Sequence, residues 1–369
     1  MTTALHSHYL IDGVPQELTP AEVLNAVCDL PCGSDEPGET VIDETVDPSI
    51  EAHDWNPRKV DEYLAKVQKC KWQLPVPFAA PVARGKVAVA LIDALWRKGH
   101  FTLDDLALKA SWKWNHSQVG SNAAFYSSVQ AAADYVDSLG VRLASYSATR
   151  SQGASDISFR AVLSKKAEND EDEFGRTGSD KPRRLSAQPA CPSTLEADSK
   201  SWLVYIPFDT SDYRLGGSLL AQSLGLGGGV SVQLSDPDYF IDCYEVVREL
   251  VEDGIVVSGT TVGFGGLMTA VNRLCAGGPG ASIDISDIMR AFDETNVVRI
   301  LFSEVPGVVI QIRDIDFDYL DAELLLQDVA FFPLGHPTPK SSAVRVKSAA
   351  RSGIQNILES LMQKAEGED

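Results

Sequence analysis

Ser258-Gly259-Thr260-Thr261-Val262-Gly263-Phe264-Gly265-Gly266-Leu267 lies between an apolar segment that reads as strand, Ile255–Ser258, and one that reads as helix, Leu267–Cys275. A glycine-rich turn between strand and helix is suited to phosphate, because unpaired backbone N–H groups and the helix dipole converge on the ligand. This turn nevertheless contains no Asp, Glu, Lys or His. It has the form of a nucleotide turn without the charges such a site uses.

The 369 residues are enough for two domains or one large α/β domain. A formal net charge of −20 disfavours direct binding to nucleic acid or to anionic membranes. No apolar run reaches the ~20 residues that span a bilayer, and Met1–Leu10 lacks the pattern of a secretory signal. An intracellular, reducing setting is expected, cytoplasmic or organellar. The six cysteines are scattered, and a lone Cys28-x₃-Cys32 pair is weak grounds for zinc. Cys243 and Cys275 read as small core hydrophobes.

Residues 1–58 read as an acidic arm without persistent structure, apart from a short helix at Pro20–Leu30. Ser34 to Asp54 holds eight acidic residues and no Lys or Arg. Pro57–Cys70 reads as a helix, Leu74–Pro81 as a linker and Val87–Leu95 as an apolar helix. A strand at Leu103–Ala110, a helix at Ala123–Leu139 and strands at Val141–Tyr146 and Asp156–Leu163 complete a unit over 59–164. Residues 165–200 lack hydrophobic period and read as a solvated linker or insertion. The unit over 201–338 opens with a strand at Trp202–Pro207 and a helix from Gly216 to Leu224. Asp236 is placed to cap a helix with Pro237 at its first position. A strand at Val308–Arg313 and a short helix at Ala322–Gln327 follow. Residues 339–369 form a tail with an amphipathic helix after Ser352. The absence of a G-x-G-x-x-G strand–helix unit favours α+β over a doubly wound sheet.

Four ordered blocks then carry a resemblance. They are Tyr205–Asp209, Leu215–Leu224, Gly265–Thr269 and Arg299–Gln311. They resemble the C-terminal part of the aminoimidazole-ribonucleotide-synthetase-like superfamily, and most closely the second synthetase module of phosphoribosylformylglycinamidine synthase. A weaker likeness covers about 77–163. The resemblance implies an α+β fold with a truncated N-terminal α/β domain and a C-terminal α+β sandwich domain. It implies nucleotide near the sheet junction, ATP or ADP with Mg²⁺ as cofactors, and an ATP-dependent C–N ligase reaction of purine biosynthesis.

The resemblance also maps all but one of the family's reactive residues onto uncharged ones. The family's His-Asp falls on Thr260 and Thr261, and its second Asp on Phe264. Its Gly-Lys-Asp-Ser loop falls on Tyr146–Thr149. A Glu and an Asn fall on Leu91 and Leu95, a Glu-Asp-Ala-Arg run on Ser121–Ala124, and a further Glu on Arg273. Mg²⁺ needs hard oxygen ligands, and phosphoryl transfer is largely electrostatic positioning. The candidate nucleotide residues are therefore those of a degenerate turn: Gly216, Gly217, Ser218, Thr260, Thr261, Gly265, Gly266 and Glu304. No catalytic residue and no metal ligand is assigned.

Glu304 reads either as a site residue or as a salt-bridging or turn-capping one. Asp209, Asp212 and Arg214 read as phosphate contacts or as a solvated loop. His116 and His336 read as structural, and Gly225–Gly229 as a flexible loop without P-loop spacing. No Cys nucleophile elbow with downstream His and Glu is visible, so any ammonia would come from elsewhere. Two main readings stay open, beside an unrelated small-molecule binding role. One is a catalytically silent scaffold or subunit, a homo-oligomer or bound to protein partners. The other is a structural or partial subunit of an ATP-dependent amidotransferase. A fold retained around Phe302, Val308 and Ile310 is expected in both.

Overall fold

A computed structural model describes residues 3–31, 38–49, 53–164 and 185–348. The amphipathic helix expected after Ser352 and the position of Cys32 lie outside them. The fold is α+β, as the blocks implied.

The first half centres on a three-stranded sheet. Strand β4 (Leu106–Trp114) runs parallel to β5 (Arg142–Arg150) and antiparallel to β6 (Asp156–Leu163). Helices α4 (Ala79–Leu95) and α5 (Ser121–Ser138) pack on it. Trp112 and Trp114 are fully buried, and their indole N–H groups donate to Ser128 Oγ (3.1 Å) and to the Ser121 carbonyl (2.8 Å). Such paired indoles cost little to bury.

The second half is a six-stranded sheet in the order β12-β9-β11-β7-β10-β8. Its strands are β7 (Trp202–Pro207), β8 (Val256–Val262), β9 (Gly280–Asp284), β10 (Gly307–Ile312), β11 (Phe332–Thr338) and β12 (Val344–Lys347). Strand β10 is buried along its whole length, and its side chains alternate between two cores. Val308 and Ile310 face α4 and α7 (Pro237–Glu252), together with Val204 and Ile206 of β7. Val309 and Tyr205 face α8 (Gly266–Leu274) and α10 (Val297–Phe302). Phe302, expected in one core with Val308 and Ile310, therefore lies on the opposite side of the sheet. Asp236 caps α7 through its side chain, which accepts from the Tyr239 N–H at 3.1 Å, with Pro237 in the first turn.

Three expectations are corrected. The first is the unstructured arm. Residues 3–31 and 38–49 form α1 (Thr3–His6), β1 (His8–Ile11), β2 (Val14–Pro15), α2 (Pro20–Ala26) and β3 (Thr40–Asp43). Leu5, Tyr9 and Leu24 are buried against Phe125 and Tyr126 of α5 or their neighbours. Thr19 and Glu22 form a reciprocal capping box at the start of α2. Composition argued for solvation, but the apolar residues are spaced to cover a helix face that local pattern does not reveal.

The second concerns the linker, of which 185–200 is described. Its backbone follows Trp96–Lys98, Gly259 and Leu274 through hydrogen bonds, and Cys191 and Leu195 are buried. The third is the boundary at residue 59. Helix α3 (Val60–Lys69) and Trp55 pack into the second core with Phe302, so this segment belongs with the C-terminal sheet.

Asp43 of the arm accepts from the N–H groups of Gly120 (3.1 Å), Asn122 (2.8 Å) and Ala123 (3.2 Å) at the start of α5. Burial alone would raise its pKa, but these donors and the Glu44 N–H together hold it below the usual carboxylate value. Asp43→Ala is expected to cost about 1–2 kcal/mol in urea unfolding. A solvated arm would give a change within about 0.5 kcal/mol.

Candidate functional site

The opening stretch divides into two parts. Ser258 to Val262 belong to β8, not to the turn, because this β-branched run pairs with β10 in register: Thr260 with Val309, Thr261 with Val308, Val262 with Gly307. The turn itself is Gly263-Phe264-Gly265, and α8 starts at Gly266.

Side chains alternate along a strand, and Thr260 and Thr261 accordingly have different neighbours. Thr261 Oγ1 donates to Asp93 of α4 at 2.5 Å and accepts from Trp96 Nε1 at 2.8 Å. Thr260 Oγ1 accepts from Arg273 of α8 at 3.4 Å. Neither lines the cavity described next, so the structure separates them from the other candidates.

Gly216, Gly217, Ser218 and Glu304 do come together, with Phe264 and the α4 residues Gly85 and Val89, around a cavity of about 50 Å³. That is room for a few waters. Gly217 has a left-handed φ of +73°, and a Cβ there would lie 2.6 Å from the Phe78 ring. Glycine thus lets the α4 entrance close against the Gly-Gly-Ser turn. Ser218 caps the short helix α6 (Leu219–Ser223): its hydroxyl accepts from the Ala221 N–H at 3.3 Å and donates to the Leu215 carbonyl at 2.8 Å.

Glu304 joins two helix starts. One oxygen, Oε1, accepts from the Leu219 N–H of α6 at 2.8 Å and from the Gly265 N–H before α8 at 2.9 Å. Burial pushes its pKa up to about 7, while the two N–H groups and the Lys86 charge oppose the rise. The carboxyl is therefore the acceptor at both turns that the Gly-rich pattern singled out.

Sequence reading missed Lys86 and Trp72. Lys86 is a largely buried cation on α4. Its Nζ donates to Asp156 Oδ1 at 2.7 Å and to the Ile157 carbonyl, and lies 3.7 Å from the Trp72 ring centroid. Burial lowers its pKa, and Asp156 and Glu304 oppose that. Trp72 meets Phe264 edge to face at 5.3 Å. The available signal was a single Lys opening the apolar run from Val87 to Leu95.

The other mapped positions have partners of their own. Leu91 and Leu95 are core residues. Tyr146 donates its hydroxyl to Asn25 Oδ1 of α2 at 2.7 Å. The start of α5 at Ser121–Ala124 carries Asp43. Asp209 is fully buried and accepts from the N–H groups of Ser211, Ser235 and Asp236, so it is no solvated loop residue. His116 Nδ1 pairs with Asn122 Oδ1 at 2.8 Å, and His336 Nδ1 with the Ser201 carbonyl at 2.9 Å. Among the described residues, no three His, Cys, Asp or Glu side chains converge as a metal site, and no helix is long and apolar enough to cross a membrane.

Comparison with known proteins agrees with this geometry. Residues 210–315 match the family model described as AIR synthase related protein, C-terminal domain. The probable phosphoribosylformylglycinamidine synthase, chloroplastic/mitochondrial, of Arabidopsis thaliana is 27% identical over 275 residues, covering 72% of this chain and 18% of that protein. Phosphoribosylformylglycinamidine synthase of Homo sapiens is 25% identical over 263 residues, covering 68% and 17%. The chain thus spans less than a fifth of the length of these relatives. Among solved structures, T. maritima PurL complexed with FGAR shares the fold, with a TM-score of 0.52 at 14% identity, over 78% of this chain and 42% of that one. Matching blocks, family model, relatives and fold agree: residues 210–315 carry an AIR synthase-related C-terminal domain, and about 70% of the chain is similar to phosphoribosylformylglycinamidine synthases.

Proposed function

We propose that this chain is a non-catalytic member of its superfamily, a structural subunit whose former nucleotide site is filled by its own side chains. The carrying observation is Glu304. Its carboxyl takes the N–H groups at two helix starts where a phosphate would otherwise be held. Phe264 and Trp72 form an apolar wall beside it, and Lys86 is engaged by Asp156. Tyr146 and the start of α5, where the resemblance places further polar contacts, are covered by α2 and by Asp43 of the arm.

Mg²⁺–ATP does not fit this set. Magnesium is ordinarily held by one or two carboxylates with phosphate and water. Among the described residues, the one carboxylate lining the cavity is already an acceptor for two N–H groups. No step of phosphoryl transfer is therefore derived for this chain. The family's habit of pairing sheets supplies the surface on which the chain would join itself or another protein.

The test supplies Mg-ATP, formylglycinamide ribonucleotide and ammonium to the purified chain. No phosphate release above the protein-free control is expected. Native mass should show a homo-oligomer, or a complex when the chain is isolated from its source. Turnover would overturn the silent reading, and a lone monomer under both conditions would overturn the subunit reading.

The same family relationship supports the alternative of a partial amidotransferase subunit in purine biosynthesis. It predicts that turnover appears when a glutaminase-bearing partner is added. It is favoured only by the activity named for the relatives, and the filled cavity weighs against it.

A further inference from the structure

Helix α11 (Phe317–Leu326) joins β10 to β11. Its inner side carries Leu320 and Leu324, fully buried in the first core, and Phe317, whose ring lies 5.0 Å from that of Trp202. The outer side is apolar as well. Tyr319, Ala322 and Leu326 recur at helical spacing on the side opposite Leu320 and Leu324, and Ile315 continues the line through the preceding turn. Ile315 is 85% exposed, Leu325 75% and Leu326 77%. Single exposed leucines are ordinary, but a row of them along one helix is not. A helix that is apolar on all sides belongs between two layers. Among the described residues only the inner layer is present.

Strand β12 brings the chain to this place. It pairs parallel to β9, ending with Lys347 beside Asp284, and β9 runs antiparallel to β11, with Ile283 beside Gly335. The chain therefore leaves β12 at the end of the sheet where β11 starts, and residues 327–331 alone separate α11 from β11. Strands β12 and β11 are two strand spacings apart, about 10 Å. In the sequence that follows, Ile354, Ile357, Leu358, Leu361 and Met362 recur at the spacing of one helix face. A helix over 354–364 would be about 16 Å long, against about 15 Å for α11. Residues 349–353 can span up to about 16 Å before it.

Charge favours the same match. Asp318, Asp321 and Glu323 make the rim of the stripe acidic, and Arg313, just before the helix, is taken by Asp316 at 3.8 Å. Residues 351–364 carry Arg351 and Lys364 against Glu359 alone. A second copy of α11 would instead set two acidic rims against each other, which like-charge repulsion opposes.

We propose that residues 354–364 dock as a helix on the outer side of α11, so that the chain's own C-terminal segment covers Ile315, Tyr319 and Leu326. The stripe shares no residue with the Glu304 cavity, so this proposal and the reading of that cavity can fail separately.

The test is hydrogen exchange of the full chain, read by mass spectrometry, in wild type and in Leu361→Asp, Leu326→Asp and Leu326→Met. A lone helix shorter than about 12–15 residues is marginal in water, so protection of 354–364 requires docking. The amides of 354–364 should exchange at least about 10-fold more slowly in wild type than in an unstructured peptide. Leu361→Asp should remove that protection. Leu326→Asp, which changes only the other partner, should remove it too, and Leu326→Met should keep it. Leu326 is exposed, so its substitution leaves the first core packed, and slow exchange of β10 confirms folding in each variant. Unprotected amides over 354–364 in wild type would overturn the proposal. Protection that survives Leu326→Asp would overturn it by placing the segment elsewhere. Protection that is lost on dilution would overturn it by assigning the cover to a second copy.

Discussion

Gly266→Ala should cost about 3–5 kcal/mol in urea unfolding, the combined effect of a strained backbone and a backbone clash. Gly266 opens α8 with a φ of +70°, a left-handed conformation that costs a residue with a Cβ roughly 1–2 kcal/mol. The added carbon would also lie 2.7 Å from the Leu301 carbonyl oxygen and from the Phe302 Cα and carbonyl carbon. These are backbone atoms of α10, so the clash cannot be relieved by turning a side chain. The helix start and α10 must separate, and both belong to the second core. A loss under about 1 kcal/mol would mean that this glycine pattern does not fix the junction of α8 and α10.

Glu304→Gln should remove a pH dependence of about 3 kcal/mol. The carboxyl has its ordinary pKa near 4.5 when unfolded and about 7 when folded. Below pH 4.5 it is protonated in both states, and its contribution to stability is fully present. Between 4.5 and 7 the unfolded chain releases the proton and the folded chain keeps it. Stability therefore falls as pH rises, by about 1.4 kcal/mol per unit, and levels off above 7. The glutamine carbonyl still accepts from Leu219 and Gly265 but does not titrate. The difference in unfolding free energy between wild type and Gln should thus shift in favour of Gln from pH 4.5 to 8. A difference that stays flat across that range would show that Glu304 is solvated rather than enclosed at the two helix starts.

Much of the fold was legible where local rules suffice. Asp156–Leu163 and Trp202–Pro207 were bounded by period and turn residues, and Asp236-Pro237 named the start of α7 by capping chemistry. Strand β11 was not legible, because Pro333 and Pro337 argue against a paired strand. It is nevertheless paired on both sides, with a register shift at Pro333–Gly335. The arm was hidden for a different reason. Its decisive contacts, such as Asp43 with Asn122 and Tyr146 with Asn25, join residues about 80 and 120 positions apart, and composition carries no information about such pairs.

The candidate site was legible as a glycine pattern and only partly as a place. The two Gly-rich turns do meet at Glu304. Thr260 and Thr261 belong elsewhere because β-branched residues beside β10 extend the strand to Val262. Lys86 and Trp72 stayed hidden because a cation on an aromatic ring, from separate segments, leaves no spacing to read.

The central claim is that the turn from Gly263 to Gly266 no longer receives a metal-bound nucleotide. Calorimetric titration of the full chain with ATP, once in EDTA and once in excess Mg²⁺, tests it most directly. Magnesium dependence is the informative readout, since the Glu304 carboxyl beside this turn already accepts from two N–H groups. The account predicts that adding Mg²⁺ gives no new binding step and no gain in affinity. A magnesium-dependent site of micromolar affinity would contradict it.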